Sequence, residues 1–274
     1  MGLNIIDIAS WQSGIDLKAV FDRNQGPQPL HGVMVKATQG LTYVNPKCDK
    51  WVQWLIENGK LWGFYHYLDH TDPVAEAKRF VRDTINYFGH GIPAADYEGN
   101  IVNSYGTYYL RRFVETVYEE TGVKPFIYCN LGTIQRDSNG FRTLAADGYP
   151  LWLAQYQNMN TQIGFNPTPW QRGTYAPFEH ITMHQYSSMG KLNGYDGVLD
   201  FDLFYGTADD WKSLALPSGG GIEPEPIPEP DPIEPEPIPV PADPDEWLQD
   251  WIEYLEDEKQ RIENKITELK GRRK

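Results

Sequence analysis

The triplet Asp96-Tyr97-Glu98 is the segment of this sequence best suited to acid–base chemistry. It lies in the stretch IPAADYEG (92–99), which has the pattern of a buried strand that ends at a glycine. Residues i and i+2 of a strand face the same side, so both carboxyl groups would point into one cavity. Because like charges resist double ionisation, one of the two groups keeps its proton at neutral pH. General-acid cleavage of a glycosidic bond needs this division, although a D-x-E triplet also arises often by chance.

Two further acids lie inside apolar stretches near the two ends of the region 1–216. Asp7 interrupts LNIIDIAS (3–10), and Asp200 interrupts GVLDFDLF (197–204). An acid within an apolar strand is costly unless it is paired or faces a polar cavity. In a closed barrel the first and last strands are neighbours, so we expect these two acids to meet across the lumen from the triplet. All of these acids are placed late or midway in their strands, where the active sites of parallel barrels lie.

Aromatic and amide side chains recur at the ends of the same predicted strands. Aromatic rings stack on the C–H faces of sugars, and amides form hydrogen bonds with sugar hydroxyls. A single aromatic residue at such a position is more often part of the core, but the repetition favours a sugar-binding cleft. The candidates are Tyr65, Tyr67, Tyr128, Trp152 and Tyr186, with the amides of Gln155 and Gln185.

The elements that must position these side chains alternate between strand-like and helix-like stretches. Amphipathic patterns predict helices over 48–59, 73–89 and 104–122, whereas 157–178 is rich in Pro, Gly and Asn and predicts loops. Eight strands with intervening helices predict a closed parallel α/β barrel. The predicted strands are 3–10, 32–38, 61–68, 92–99, 124–130, 149–156, 180–187 and 197–204.

Eight short motifs follow one another along residues 1–206. They are DIASWQ (7–12), VKATQG (35–40), GFYHY (63–67), ADYEG (95–99), PFIYCN (125–130), LWLAQY (151–156), HQYSS (184–188) and VLDFDLF (198–204). In this order they resemble the motif set of glycoside hydrolase family 25, which includes many phage endolysins and some bacterial and fungal lysozymes. The resemblance implies an irregular TIM-like barrel of eight strands with about five helices.

The resemblance also implies an activity, the cleavage of the β-1,4 bond between N-acetylmuramic acid and N-acetylglucosamine in peptidoglycan. Glu98 matches the catalytic acid of the family and Asp96 its partner carboxylate, and Asp7 and Asp200 match two further acids of the cleft. Asp202 is a second acid close to Asp200. The positions of the substrate subsites match Tyr65, Tyr128, Trp152 and Gln185.

The sequence leaves the route of the reaction open. Asp96 would orient the substrate's own 2-acetamido group for attack on C1, or an acid would activate water for an inverting displacement. In both routes Glu98 protonates the leaving oxygen. One departure from the family pattern is Gln39, where many relatives have Glu, so the cleft is expected to carry one negative charge less.

Composition excludes several other classes of protein. The chain of 274 residues has 38 acidic and 24 basic side chains, a formal charge of -14, which argues against duplex nucleic acid as a partner. No apolar run is long enough to cross a membrane. Cys48 and Cys129 are too few for a disulfide scaffold, and packing is expected for both. No cofactor or metal is predicted, and the H-x-x-x-H spacing of His66 and His70 falls on a strand-to-loop segment, which does not form the helical two-ligand face of a zinc site.

Charge and proline content divide the chain into three regions. Residues 1–216 form the predicted catalytic barrel, and 217–244 form an acidic Pro-rich linker expected to be an extended spacer. Residues 245–274 carry a heptad pattern that predicts an amphipathic C-terminal α-helix, a possible coiled coil. That helix is expected to join copies of the chain into a homo-oligomer or to attach it to another surface.

The favoured function is a peptidoglycan-degrading lysozyme that acts on bacterial cell walls, and a phage or prophage origin is expected. The N-terminus shows no secretory signal pattern, so synthesis in the host cytoplasm and release through a holin pore are expected. The alternatives are a barrel that binds glycan without cutting it, and a virion-associated structural protein. A turbidity assay on purified walls separates the enzyme from both alternatives.

Overall fold

The computed structural model describes residues 2–69 and 72–217. The predicted linker beyond Pro217 and the predicted C-terminal helix lie outside these residues. The strands are β1 (Leu3–Ile8), β2 (Leu30–Gln39), β3 (Tyr43–Val44), β4 (Leu61–Tyr67), β5 (Ile92–Asp96), β6 (Phe126–Asn130), β7 (Leu151–Ala154), β8 (Gln162–Ile163), β9 (Met183–Lys191) and β10 (Leu199–Phe204). The α-helices are α1 (Leu17–Arg23), α2 (Cys48–Glu57), α3 (Pro73–Thr84), α4 (Asn100–Ser104), α5 (Gly106–Thr121), α6 (Leu131–Arg136), α7 (Phe141–Ala146) and α8 (Ala208–Leu214).

Eight of these strands close into a barrel, as the sequence predicts. The order around it is β1-β10-β9-β7-β6-β5-β4-β2, and β1 pairs with β2 to complete the circle. The two-residue strands β3 and β8 add to β2 and β9 outside this circle. The barrel strands are buried on both faces, which explains their nearly continuous apolar sequences.

The expectation of an all-parallel barrel is wrong for the last strand. β10 runs antiparallel to β9 and to β1, whereas the other neighbouring pairs are parallel. The physical reason is the short connection 192–198. A parallel crossover needs a dozen residues or more, so a connection of this length returns the chain as a hairpin.

The three helices predicted from amphipathic patterns are α2, α3 and α5. Asp72 caps α3, where its carboxylate accepts hydrogen bonds from the backbone N–H of Val74 at 2.8 Å and Ala75 at 3.1 Å. α5 ends at Gly122, whose φ of +71° is a left-handed conformation that favours glycine. Within the described ranges five α-helices have seven residues or more, and α4, α6 and α7 are shorter. Residues 157–178 form loops apart from β8, as predicted.

Two apolar layers hold the barrel together. A large cluster fills the space between the outer face of the sheet and the helices. A smaller cluster fills the lumen, where Ile5, Ile92 and Phe126 are fully buried. α8 covers the end of the lumen near the start of β4 and β5, with Trp211 donating from Nε1 to the backbone oxygen of Trp62 at 3.1 Å. The opposite end of the lumen is therefore the end at which polar groups can reach solvent.

No helix in the part of the chain that the structure describes combines the length and the apolar character needed to span a bilayer.

Candidate active site

A cleft of about 300 Å³ opens at the end of the barrel opposite α8. It lies at the carboxyl ends of the parallel strands, the usual location of active sites in α/β barrels. The four predicted acids all line it. The complete lining consists of Asp7, Ala9, Trp11, Gln12, Lys36, Tyr65, Tyr67, Asp96, Glu98, Tyr128, Trp152, Tyr156, Gln185 and Asp200.

Strand alternation directs Asp96 and Glu98 into this cleft. β5 ends at Asp96, but Tyr97 continues the pairing, because its backbone N–H donates to the oxygen of Tyr128 at 2.9 Å. The Tyr97 side chain points the other way and packs against Phe141, with ring centroids 6.2 Å apart. The residues on either side of Tyr97 therefore both face the cleft, as the sequence predicts.

The turn after Glu98 depends on Gly99. Its φ is +68°, a conformation that L side chains rarely adopt. A Cβ atom at this position would also lie 2.7 Å from the hydroxyl of Tyr67. The chain therefore bends sharply after Glu98 while Tyr67 packs directly against the bend, and any side chain at position 99 would displace one of them.

Asp7 and Asp200 meet because β1 and β10 are neighbours, with these two residues as direct pairing partners. Asp200 is the second residue of β10, not a late one, so the expectation about its position in the strand is wrong. It reaches the cleft because β10 is antiparallel, which places the start of this strand at the end where the others finish. Asp202 lies deeper and is fully buried, and its carboxylate accepts from Trp152 Nε1 at 2.7 Å. Asp200 is thus the acid that lines the cleft.

Burial and mutual repulsion raise the pKa of the carboxyl groups in the cleft. Burial is the largest cause for Asp96, followed by the charge of Glu98, and the pKa lies well above its usual value. Burial also raises the pKa of Glu98, and Lys36 opposes this. For Asp200, burial and the charge of Glu98 raise the pKa to about 6. The pKa of Asp7 is raised by burial and by the neighbouring aspartates. The cluster therefore retains protons at pH values where exposed carboxyl groups are ionised.

Asp7 and Asp96 differ in their hydrogen bonds. Asp7 accepts from the Nε2 of Gln185 at 2.7 Å, and the Oε1 of Gln185 in turn accepts from the hydroxyls of Tyr128, at 2.8 Å, and Tyr156. This network holds the Asp7 carboxylate in position. Asp96, by contrast, has a buried oxygen, Oδ1, with no hydrogen-bond partner among the described residues. A buried acceptor without a partner is costly, so this oxygen is suited to a donor supplied by a ligand.

Of the predicted aromatic residues, Tyr65, Tyr128 and Trp152 form the floor of the cleft, whereas Tyr186 lies outside its lining, in the apolar layer between the sheet and the helices. Tyr65 and Tyr128 both meet Trp152 edge to face, with ring centroids 6.1 and 4.8 Å apart. All three side chains are buried, and they pack on one another in the lumen cluster. Their faces are therefore occupied largely by protein. They line the floor of the cleft and set its shape.

Gln155 does not belong to the cleft. Its side chain points to the 157–178 loop, where it donates to the backbone oxygen of Arg172 at 2.5 Å and accepts from the N–H of the same residue at 3.2 Å. Both ends of the amide are thereby engaged by backbone. The prediction that Gln155 binds substrate is not supported, because Trp152, Ala154 and Tyr156 face the lumen and alternation along the strand directs Gln155 to the other side.

Sequence reasoning missed five residues of the cleft lining, and the three with the largest side chains are Lys36, Trp11 and Tyr156. Lys36 interrupts the apolar strand GVMVKAT, the same signal that identified Asp7. Trp11 follows Asp7 on the turn after β1 and is 90% exposed at the rim, an unusual position for so large an apolar side chain. Tyr156 follows β7 and donates to Gln185. Trp11 stands in the DIASWQ motif, but its exposure cannot be read from the sequence.

Among residues 2–69 and 72–217, no three His, Cys, Asp or Glu side chains are grouped so as to hold a metal ion.

Comparison with known proteins identifies the family of the chain. The family model of glycosyl hydrolases family 25 matches residues 6–195. The uncharacterized protein YegX of Escherichia coli K12 is 26% identical over 213 residues, 76% of this chain and 72% of YegX. The autolytic lysozyme of Clostridium acetobutylicum is 28% identical over 211 residues, 73% of this chain and 55% of that protein. The crystal structure of the bacterial lysozyme from Streptomyces coelicolor has a TM-score of 0.63 at 20% identity, covering 78% of this chain and 97% of that one.

The family model spans well over half of the chain, so the chain belongs to glycosyl hydrolases family 25. It is a glycoside hydrolase, and the resemblance read from the eight motifs is confirmed. The lysozyme structure has the same barrel fold.

Proposed function

We propose that the enzyme is an N-acetylmuramidase, which hydrolyses the β-1,4 bond between N-acetylmuramic acid and N-acetylglucosamine in bacterial peptidoglycan. Membership of the family supports a glycosidic substrate, and a related protein is an autolytic lysozyme. The observation that carries the proposal is the pair Asp96 and Glu98, which face one cleft with raised pKa values. This is the arrangement that general-acid glycoside cleavage requires.

Glu98 acts as the general acid. Its carboxyl group donates a proton to the glycosidic oxygen, so that the bond from C1 to this oxygen breaks and the N-acetylglucosamine hydroxyl leaves neutral. Burial raises the pKa of Glu98 and so favours the protonated form that this step needs.

Asp96 assists from the other side of the sugar. Its unpartnered Oδ1 accepts the N–H of the 2-acetamido group, whose carbonyl oxygen attacks C1 as the glycosidic bond breaks. A hydrogen bond to the ionised form lowers a carboxyl pKa, so substrate binding favours the Asp96 anion and leaves the proton on Glu98. This resolves the competition between two groups that both have raised pKa values. The anion then stabilises the positive charge that develops on the acetamido group.

Water completes the reaction. It gives a proton to the Glu98 carboxylate while its oxygen bonds to C1 and the bond between C1 and the acetamido oxygen breaks. Two displacements at C1 retain the β configuration. Asp7 and Asp200 line the same cleft and maintain its negative potential, which opposes early loss of the proton from the acid.

Product analysis tests this function. The full chain is incubated with purified bacterial walls, and the released fragments are reduced with borohydride and identified by mass spectrometry. A muramidase yields reduced N-acetylmuramic acid at the new ends, and reduced N-acetylglucosamine there would contradict the proposal. Proton NMR of the first product formed distinguishes the routes, since the substrate-assisted route gives the β anomer and inversion gives the α anomer.

The heptad pattern of residues 245–274 supports a second proposal, that these residues join several catalytic domains. Linking catalytic units raises their effective concentration on a polymeric substrate. Light scattering of the full chain and of a chain ending at residue 244 tests this. A multiple of the chain mass for the first and a monomer for the second is expected, and equal monomeric masses would refute it. The phage or prophage origin and the release through a holin stay predictions.

A further inference from the structure

Lys36 is the cationic side chain of a strongly acidic cleft. Of the described residues that line this cleft it alone carries a positive charge, against four carboxyl groups. It lies on β2, paired in register with Tyr65 on β4. The carboxyl groups carry out the proposed proton transfer and charge stabilisation, and Lys36 takes no part in these steps.

Aromatic rings hold the Lys36 ammonium in place. Nζ lies 4.4 Å from the ring centroid of Tyr67 and 5.7 Å from that of Tyr43, within the range of cation–π attraction. The hydroxyl of Tyr67 packs against the Gly99 turn that follows Glu98. The same tyrosine therefore contacts the ammonium and the turn that carries the acid, so the position of the charge is tied to the position of Glu98.

The hydrogen-bond partner of the ammonium is neutral. Nζ donates to Oε1 of Gln39 at 2.7 Å, and an amide oxygen leaves the positive charge uncompensated at this point. Three carboxyl groups attract the ammonium through their charges. They are Asp96 and Glu98, on β5 and the turn after it, and Asp69, which follows β4. In a partly buried site these interactions are screened much less than at an exposed surface.

We propose that Lys36 is a positioning residue that acts through the Asp96–Glu98 pair, and that the neutral Gln39 keeps its charge directed at that pair. The inference rests on the proposed function, because it concerns the carboxyl groups to which that function assigns the proton transfer. A cation beside two carboxyl groups favours their ionised forms. Lys36 therefore moves to lower pH the range in which Asp96 is ionised while Glu98 holds its proton.

The expected consequence has a definite sign. Lys36 lowers the pKa of both Asp96 and Glu98 against the effect of burial. Neutralising its charge raises both pKa values. The acidic limb of the pH–rate profile, which follows ionisation of Asp96, then moves to higher pH. The alkaline limb, which follows loss of the Glu98 proton, moves in the same direction.

The Gln39→Glu variant tests this in the full chain. A carboxylate at the Nζ contact pairs with the ammonium, and both limbs should move up by about one pH unit, a shift typical of one nearby charge. The rate on the acidic limb should fall about tenfold, with partial recovery at alkaline pH. Carbon-13 NMR titration of the Asp and Glu carboxyl groups measures the same shift without relying on activity.

Three further variants make the test specific. Lys36→Met should produce the same upward shift, and Lys36→Arg, which keeps the charge, should restore most of the parent profile. Gln39→Met removes the acceptor without adding charge, and its limbs should not move. Gln25→Glu adds the same charge at an exposed position outside the cleft lining and should leave both limbs in place.

The outcomes separate this inference from the proposed function. If Gln39→Glu and Lys36→Met lower the rate equally at every pH, and the carboxyl titrations do not move, Lys36 is only structural and the inference is wrong. If the parent chain releases no reducing ends from walls but the titrations shift as expected, the electrostatic role of Lys36 stands and the muramidase assignment fails.

Discussion

The two ends of the barrel lumen are built on the same strands but have opposite chemistry. β1 contributes Ile5 to the apolar end and Asp7 to the cleft, and β5 contributes Ala94 and then Asp96. A step of two residues along a strand keeps the side chain inside the lumen and moves it from one end to the other. The apolar end is covered by Trp211, whereas the cleft end is open to substrate. Stability and reactivity are thus separated along the barrel axis.

The difference is also energetic. Burial of a charged carboxylate costs free energy. Because of this cost, the pKa values of the buried groups Asp96 and Asp202 are raised. The apolar end and the outer layer contribute the stability that offsets it. Variants at the two ends should therefore have opposite effects, with activity lost at one end and stability at the other.

The largest effect is expected at the cleft end from Glu98→Gln. The amide has no proton to donate to the glycosidic oxygen, so the rate of wall clearance should fall by about 10³-fold or more. The fold should be retained, because the side chain keeps its size, and circular dichroism checks this. Glu57→Gln, at an exposed position on α2, should clear walls at the parent rate. A Glu98→Gln variant as active as the parent would show that another group is the acid.

At the opposite end, Trp211→Ala should reduce stability and leave the chemistry intact. The buried indole packs against Phe204 with ring centroids 5.1 Å apart, and its loss should lower the free energy of unfolding by about 3–4 kcal/mol. Chemical denaturation measures this. Trp170→Ala, at a partly exposed tryptophan, should cost less than about 1 kcal/mol. A loss of activity per folded molecule as large as the loss at Glu98 would contradict the separation of the two ends.

Asp200→Asn should lower the activity of the enzyme and raise its stability at alkaline pH. The folded-state pKa of about 6 lies above the unfolded value of 3.8, so the folded state binds more protons between these pH values. The stability from this group is complete below about pH 4 and is lost as the pH rises through 6. The variant lacks this loss and should be more stable than the parent at pH 8, by about 1–2 kcal/mol, and less active. Thermal unfolding at pH 5 and pH 8 provides the measurement, and an equal pH dependence in both proteins would refute the assignment.

The smallest effect is expected from Gln155→Ala. This variant loses two hydrogen bonds to the Arg172 backbone, which should cost about 1 kcal/mol or less. Its rate on walls should stay within about twofold of the parent. Gln185→Leu is the contrast, because it removes the partner of Asp7 and should lower the rate much further. A large loss of activity in Gln155→Ala would show that this residue contacts the substrate after all.

Much of the barrel was predictable because its strands are buried on both faces and therefore read as apolar runs. All eight predicted strands and the three predicted helices are present, with ends that differ by a few residues. The direction of β10 was predicted wrongly, although the short connection 192–198 carries the signal for a hairpin. The domain boundary near residue 216 and the structure of 217–244 and 245–274 stay predictions.

The sequence by itself indicated the class of enzyme through its eight ordered motifs, which resemble those of the family. It also located the acids of the cleft, because charged residues inside apolar strands are tolerated only when they face a polar cavity. Tertiary structure alone decided which neighbours each acid has. Asp7 is held by Gln185 from a strand distant in the sequence, Gln155 forms hydrogen bonds with the Arg172 backbone, and Lys36 is placed beside the acid pair. The reason is physical: alternation along a strand fixes which face a side chain takes, but contacts across a barrel depend on register and strand direction, which are set by the closed sheet.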